Sequence, residues 1–190
     1  MTKERTLVLL KPDAVQRNLV GEIISRFERV GLKIVALKLV QPTKELAYTH
    51  YVKNEAEIEA LGARSIEGKK KAGMEVHDDP KQLGQFIVDK LVEFLLSAPV
   101  VAFVLEGHQA IKITRKLVGS TEPLNSDVGT IRGDFTLDSY LIADADNRAV
   151  RNLIHASAND FDATYEINTW FSPEEILQYE NPRETVLYKK

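Results

Sequence analysis

The chain has 190 residues, of which 44% are hydrophobic and 28% are charged, so it is long enough for one domain with a buried core and unlike a disordered or fibrous protein. Its formal net charge of -3 argues against a general binder of nucleic acid or of membrane surfaces, which would usually be basic. Because cysteine is absent, disulfides, thiolate chemistry and cysteine-based metal sites are excluded.

The first half of the chain alternates strand-like and helix-like patterns. Residues 6–10 form a compact apolar run, typical of a buried strand. This run is too short for a signal peptide, and no stretch is long and apolar enough to span a bilayer, so a cytoplasmic protein is expected. Gly31 should end the first helix, and Thr43 is a candidate N-cap of the second. The patterns predict a first helix over residues 20–30, a strand over 32–40 and a second helix over 43–51.

The second half contains two segments that differ from the rest in character. Residues 54–81 are polar and mixed in charge, and they predict an inserted, partly helical excursion; residues 137–149 resemble a second insertion. Residues 119–135 are rich in Gly, Pro, Asn and Asp and predict a long loop, which in a compact domain is usually functional. A helix is predicted at residues 86–95, a strand at 100–105 and another helix at 107–118. A last apolar pair follows at 153–154, and a final helix is predicted from residue 172.

This alternation favours an α+β fold. Two consecutive β-α-β halves with short strands predict a ferredoxin-like antiparallel four-stranded sheet (βαββαβ) with helices on its faces and an inserted helical lid segment. A parallel doubly wound sheet is the competing interpretation, since the pattern does not give the strand order. One domain over residues 1–190 is expected, with 54–81 and 137–149 as insertions within it.

Local patterns leave the chemistry open. The sequence has no P-loop, no Gly-x-Gly-x-x-Gly and no Gly-x-Ser-x-Gly elbow. Its four histidines form no metal-ligand cluster by spacing: His77 is expected in a solvated loop, and His50 and His108 at surface or cap positions. His155 ends the apolar pair at 153–154, so it is expected at a strand end, where a lone histidine is more often structural.

A resemblance changes the interpretation of His155. Residues 152–157 read Asn-Leu-Ile-His-Ala-Ser, which resembles the Asn-x-x-His-Gly-Ser signature of nucleoside diphosphate kinases. Further blocks match the family in order and in spacing, which together are specific although each alone is weak. They are residues 6–17, 19–24, 50–51, 97–102, 105–107, 129–135 and 170–175.

The resemblance implies a phosphotransferase that moves the γ-phosphate of a nucleoside triphosphate to a nucleoside diphosphate by a ping-pong mechanism. His155 would be the nucleophile and would hold the phosphoryl group between two half-reactions. A neutral imidazole is available at pH 7, since its ordinary pKa is about 6.5. The other catalytic residues would be Lys11, Tyr51 near the phosphohistidine, and Glu166, which would orient one nitrogen of the histidine ring.

The same resemblance implies how a nucleotide binds. Arg115, Thr121 and Arg132 would hold the phosphates, because planar guanidinium groups suit bidentate phosphate contacts. Lys11 would contact the transferring phosphate and a ribose hydroxyl, and Asn152 the ribose 3′-hydroxyl.

The resemblance also implies how the nucleobase and the metal ion are bound. Ile87 and Leu91 would offer an apolar face to the base, beneath a lid built from residues 54–81. Mg²⁺ is expected to arrive with ATP or other nucleoside di- and triphosphates and to bridge their phosphate oxygens, without a metal site made by the protein. Family members form homo-oligomers, so a hexamer or tetramer is expected, with neither membrane nor specific nucleic acid as a partner.

Two departures keep an alternative open. Ala156 and Ala158 stand where the family usually has Gly and Asp. A nucleotide-binding regulatory relative with weak catalysis is therefore the second hypothesis. The geometry also poses a question, because side chains alternate along a regular strand and Asn152 and His155 would face opposite sides. Both can line one cleft only if the backbone between them leaves strand geometry.

Overall fold

Four antiparallel strands form the centre of the protein. The computed structural model describes residues 3–71, 73 and 75–188, so positions 72 and 74 of the predicted insertion lie outside the described residues. The strands lie in the order β2-β3-β1-β4, and every neighbouring pair is antiparallel, which confirms the ferredoxin-like prediction. The competing parallel sheet is wrong. The strands are β1 (Glu4–Leu10), β2 (Lys33–Val40), β3 (Val100–Gly107) and β4 (Ile154–Ala156).

Helices cover both faces of this sheet. The bounds of the helices are α1 (Pro12–Gln16), α2 (Val20–Arg29), α3 (Lys44–Tyr51), α4 (Glu55–Lys71), α5 (Pro80–Leu96), α6 (Ala110–Val118), α7 (Ile131–Phe135), α8 (Tyr140–Ala145), α9 (Asp160–Trp170) and α10 (Glu184–Leu187). Side chains of β1 alternate between two cores. Val8 and Leu10 pack with α2 and α6, whereas Leu7 and Leu9 pack with α3, α5 and α9. None of the helices in the described ranges is both long and apolar enough to cross a membrane.

Several predicted helix ends are confirmed by their caps. The Thr43 hydroxyl accepts a hydrogen bond from the backbone N–H of Leu46 at 3.1 Å, and Gly31 takes a φ of +92° directly after α2. Other ends differ from the predictions. Helix α5 begins at Pro80, six residues before the predicted start, because Asp79 caps it and proline suits the first helical position. The helix predicted from residue 172 is only a 3₁₀ turn, Pro173–Glu175, closed by a capping box with Ser172.

The predicted insertion at 54–81 is largely one helix, α4, which packs against α5. The two helices approach closely at two glycines. A Cβ atom on Gly62 would lie 1.8 Å from the carbonyl oxygen of Pro80, and one on Gly84 would lie 1.8 Å from that of Ile58. Since no side chain fits at either position, the glycines fix how closely α4 and α5 pack.

The long loop and the second insertion are also more regular than predicted. The loop at 119–135 holds a 3₁₀ turn, Pro123–Asn125, and the helix α7. Helix α7 forms because Thr130 caps it, with its hydroxyl accepting from the N–H of Gly133 at 3.1 Å. The segment 137–149, predicted as a second insertion, contains α8, capped by Ser139. The loop contacts β4 through Arg132, whose guanidinium donates to the carbonyl oxygen of Ile154 at 2.5 Å.

Candidate functional site

The backbone leaves strand geometry just before β4. Leu153 has a φ of +66°, and the N–H of Ile154 donates to the carbonyl oxygen of Asn152 at 2.7 Å, which closes a γ-turn on Leu153. The N–H of Leu153 donates to the Asp13 carboxylate at 3.0 Å, and its carbonyl accepts from the N–H of Lys11 at 2.8 Å. A left-handed leucine is strained, so these bonds hold it in place. The turn breaks the strand alternation that set Asn152 and His155 on opposite sides.

His155 lies in the middle of the short strand β4, paired with Leu9, rather than at its end as predicted. Its Nε2 is 2.8 Å from a carboxylate oxygen of Glu166 on α9, and the Ser157 hydroxyl donates to the same oxygen at 2.7 Å. A carboxylate only accepts hydrogen bonds, so Nε2 carries the hydrogen and Nδ1 keeps its lone pair. The histidine side chain is 25% exposed, while Glu166 is buried.

His50 is buried beside this pair, so the expectation of a surface or cap position is wrong. Its ring centroid is 4.5 Å from that of His155, and the two rings are nearly perpendicular. Trp170 donates its indole N–H to Nδ1 of His50 at 3.3 Å. Burial, followed by the charges of His155, Lys11 and Lys53, holds the pKa of His50 well below its ordinary value. His50 is therefore neutral at pH 7.

The residues His50, His155 and Glu166 are also the group that comes nearest to a metal-ligand set in the described part of the chain. One ligand atom from each residue lies within 4.8 Å of the others. The histidine spacing in the sequence did not indicate this convergence, because His50 and His155 are 105 positions apart along the chain (155 minus 50). The burial of His50 could have been inferred from its spacing to Ala47 on α3, since residues three positions apart lie on one face of a helix and both side chains are buried.

Lys11 and Asn152 meet through the γ-turn. Nζ of Lys11 donates to Oδ1 of Asn152 at 2.8 Å, and Nδ2 of Asn152 donates to the carbonyl oxygen of Thr121 at 2.8 Å. Burial, and then the positive charge of Arg132, lowers the pKa of Lys11 to about 8, with Asp13 opposing. Burial likewise raises the pKa of the Asp13 carboxyl. Three residues predicted from the resemblance are thus joined in one hydrogen-bonded chain.

Arg132 is buried, and its guanidinium is occupied by the protein itself. It donates to four backbone carbonyls, those of Gly119, Ser120, Asn152 and Ile154, at 3.2, 2.9, 3.1 and 2.5 Å. These bonds tie the loop at 119–135 to both sides of the γ-turn. Burial lowers the pKa of Arg132 to about 10. Arg115 on α6 is exposed, and its charge also lowers the pKa of Arg132, so the two guanidinium groups are near each other.

Tyr51 lies on α3 beside His50, and the predicted base-binding residues lie on α5. The ring of Tyr51 is 4.8 Å from that of His50, and its hydroxyl is buried without a hydrogen-bond partner among the described residues. Burial, with the charges of Asp13 and Glu166, raises the pKa of Tyr51. Ile87 and Leu91 are half-buried and one turn apart on α5.

Two charged residues at the site were not found from the sequence. Lys53, between α3 and α4, forms an ion pair with Asp162 on α9, and its Nζ lies 3.9 Å from the second carboxylate oxygen of Glu166. No motif contains either residue, and they are 109 positions apart along the chain. Only the packing of α9 against the link between α3 and α4 brings them together.

A separate cavity is lined by residues that precede and follow the γ-turn, including Asp13 and Arg151. It has a volume of about 650 Å³ and is lined in part by Asp13, Phe94 and the second insertion. Arg148 in its wall is already bound to Asp138 by two hydrogen bonds of 2.6 and 3.0 Å. The cavity contains neither His155 nor Glu166, so the nucleophilic chemistry belongs to the partly exposed histidine rather than to this cavity.

Known proteins similar to this chain agree with the geometry. The family profile described as "Nucleoside diphosphate kinase" matches residues 4–61 and 63–176. A nucleoside diphosphate kinase from Pyrobaculum aerophilum is 44% identical over 94% of this chain and all of its own length, and one from Staphylococcus epidermidis is 40% identical over 98% of this chain and 99% of its own.

Two solved structures are similar as well. The crystal structure of an NDP kinase from Pyrobaculum aerophilum superposes with a TM-score of 0.88 at 42% identity, covering 93% of this chain and 100% of that one. A transition state mimic of the nucleoside-diphosphate kinase from Borrelia burgdorferi, with bound vanadate and ADP, gives a TM-score of 0.79 at 37% identity, over 97% and 96% of the two chains. The chain therefore belongs to the nucleoside diphosphate kinase family.

Proposed function

We propose that this protein moves the γ-phosphoryl group of a nucleoside triphosphate to a nucleoside diphosphate through a phosphate held on His155. Membership of the family makes the chain a phosphotransferase that acts between nucleotides, and it does not favour a purely regulatory relative. The observation that carries the role of His155 is its contact with Glu166 at 2.8 Å. Glu166 occupies Nε2 and leaves the lone pair of Nδ1 on a ring that is still partly exposed.

The reaction then has two matched steps. In the first, Nδ1 of His155 forms a bond to the γ-phosphorus while the bond to the bridging oxygen breaks, and the nucleoside diphosphate leaves. In the second, a terminal phosphate oxygen of another nucleoside diphosphate attacks the same phosphorus and frees the ring. Transfer of this kind depends mainly on positioning and on positive charge around the phosphoryl oxygens.

Lys11, Arg115, Thr121, Arg132 and Asn152 are the residues we assign to the phosphates and the ribose. Lys11 and Asn152 are joined at 2.8 Å beside the γ-turn, which places a cation and an amide side by side. Arg115 and Thr121 are exposed and able to reach a ligand. Arg132 contributes mainly by shaping the loop, because its guanidinium already binds four carbonyls.

The base and the lid are assigned to the helical pair α4 and α5. Ile87 and Leu91 on α5 offer a half-buried apolar surface suited to a nucleobase. Helix α4, held against α5 at Gly62 and Gly84, is the segment we assign to the lid. Because α4 packs on α5, and α5 shares a core with the central sheet, we treat residues 1–190 as one domain with insertions at 54–81 and 137–149.

Mg²⁺ is proposed to come with the nucleotide, where it neutralises charge on the phosphates. The group His50, His155 and Glu166 does not suit this ion, since two of its three ligand atoms are nitrogen and Mg²⁺ prefers oxygen. We also propose a homo-oligomer, a hexamer or tetramer. The edge strand β2 supports this, because Leu37 and Leu39 on it are 51% and 64% exposed.

Transient labelling tests the function directly. Purified protein mixed with Mg²⁺ and γ-labelled ATP should become covalently labelled, and the label should be acid-labile. Unlabelled GDP added afterwards should remove the label as GTP, since the second half-reaction reverses the first. ATP labelled in its α-phosphate is the matched control and should leave no covalent label. A protein that stays unlabelled by γ-labelled ATP would contradict the proposal.

Lys11 gives the reaction an alkaline limit. Its pKa is lowered from the ordinary 10.5 to about 8, so the ammonium loses its proton as the pH rises past 8. We expect kcat/KM to fall above about pH 8, because a phosphate then loses its buried cation. The Lys11→Arg variant keeps its charge and should hold its kcat/KM, relative to its own value at pH 7, to higher pH. A wild-type kcat/KM that stays flat to pH 9.5 would refute this role of Lys11.

A further inference from the structure

Lys53 connects the base of the lid to the helix that carries Glu166. Its backbone N–H donates to the carboxylate of Glu57 at 3.2 Å, and the N–H of Glu57 donates to the side chain of Asn54 at 3.2 Å, so the start of α4 is fixed around it. Its side chain reaches across to α9, where it pairs with Asp162. The lysine side chain is only 12% exposed. An ion pair this sheltered is less screened by water than a surface pair.

Glu166 divides its two carboxylate oxygens between different partners. One oxygen binds His155 and Ser157, at 2.8 and 2.7 Å. The other lies 3.9 Å from Nζ of Lys53. Because the Glu166 side chain is only 4% exposed, a unit charge at that distance changes how strongly its carboxylate stabilises a proton on the histidine ring.

We infer that Lys53 and Asp162 form a positioning pair, which sets the net charge around Glu166 and thereby the protonation of the His155 ring. The inference deepens the proposed function and rests on it, because a neutral ring is the form that can attack phosphorus. Lys53 disfavours a proton on His155, and Asp162 offsets that effect by pairing with Lys53. Neither side chain needs to touch the nucleotide.

Other charged and titratable groups face the same pair from the surrounding elements. The charges of His155, Lys11 and Lys53 all act on His50, which is on α3. Those of Asp13 and Glu166 act on Tyr51 of the same helix, and Arg132 acts on Lys11. These groups are common to the wild type and to variants of Lys53 and Asp162. Opposite shifts of the His155 titration midpoint in Lys53 variants and in Asp162 variants are therefore due to the positioning pair.

Titration of the histidine rings tests this inference without any nucleotide. The chain has four histidines, so the NMR signal of His155 can be assigned by comparison with the His155→Ala variant. Lys53→Met should raise the midpoint of the His155 titration by roughly half a unit to one unit, since a cation near Glu166 is lost. Asp162→Asn should lower it by a similar amount. The double variant should titrate close to the wild type.

Two control variants keep the result interpretable. Lys53→Arg retains the charge and should leave the midpoint near that of the wild type, and Lys44→Met removes an exposed lysine of α3 and should do the same. Unchanged midpoints in both single variants, or shifts in the same direction, would overturn the inference. Failure of the proposed function is seen separately, as wild-type protein that takes no label from γ-labelled ATP.

Discussion

Replacing His155 with alanine is expected to abolish phosphoryl transfer, with kcat at least about 10⁴-fold below that of the wild type. The substitution removes the only proposed nucleophile, and no neighbouring group stands in for it. His50 is the nearest candidate, but Trp170 donates to its Nδ1. Its Nε2 then carries the hydrogen of the neutral ring, and no lone pair is free to attack phosphorus. The measurements are covalent labelling by γ-labelled ATP and steady-state transfer from ATP to GDP.

A matched histidine variant controls this experiment. His77 is exposed in the segment before α5, so His77→Ala should label as fully as the wild type. The His155→Ala protein should also melt near the wild-type temperature, because the side chain is partly exposed and only one hydrogen bond is lost. Acid-labile label on His155→Ala at the wild-type level would place the nucleophile elsewhere.

Arg132→Met is expected to lower the free energy of unfolding by about 2–5 kcal/mol. The guanidinium donates to four backbone carbonyls, and methionine removes all four hydrogen bonds. The carbonyl of Asn152 keeps the N–H of Ile154 and that of Ser120 keeps the Ser126 hydroxyl, so the loss falls mainly on Gly119 and Ile154. For a chain of this length the melting temperature should fall by roughly 5–15 °C. Transfer activity should fall as well, because the same bonds hold both sides of the γ-turn at Leu153. Thermal unfolding followed by circular dichroism measures the first effect.

Comparison with Arg115→Met distinguishes the role of Arg132 in holding the loop from a role in binding phosphate. Arg115 is exposed on α6 and lies near Arg132, so it offers the same side-chain chemistry without the buried bonds. We expect its variant to melt within about 1–2 °C of the wild type while KM for ATP rises. Equal melting temperatures for Arg132→Met and the wild type would show that the four carbonyl contacts do not stabilise the loop.

Local chemistry made much of the fold predictable. The N-cap at Thr43, the left-handed Gly31 and the apolar spacing of α2 are each set by a few neighbouring residues, and the structure reproduces them. The end of the chain shows the limit of this approach. The Ser172 capping box resembles a helix start, yet the turn ends after Glu175. A cap satisfies the first N–H groups but cannot make the following residues helical without an apolar face to bury.

The site was less predictable because distant segments build it. Lys11 and His155 lie in blocks that carried the resemblance, and the role of Glu166 was implied by it, but their hydrogen bonds depend on β1, β4 and α9 meeting. The burial of His50 follows from the packing of α3 on the sheet, and its spacing from the apolar Ala47 on one helix face is the local indication of it in the sequence. The Lys53–Asp162 pair has no local signature at all. The γ-turn was anticipated only as a geometric requirement, and its support by Asp13 became visible in the structure.

The hydrogen bond between His155 and Glu166 determines whether protons must enter or leave the site during the reaction. In the proposed mechanism the ring keeps its hydrogen on Nε2 both before and after Nδ1 takes the phosphoryl group, so neither half-reaction takes up or releases a proton at the imidazole. An enzyme that used histidine as a general base would need a route for protons to bulk water. The proposed mechanism needs none, and Glu166 can remain buried throughout.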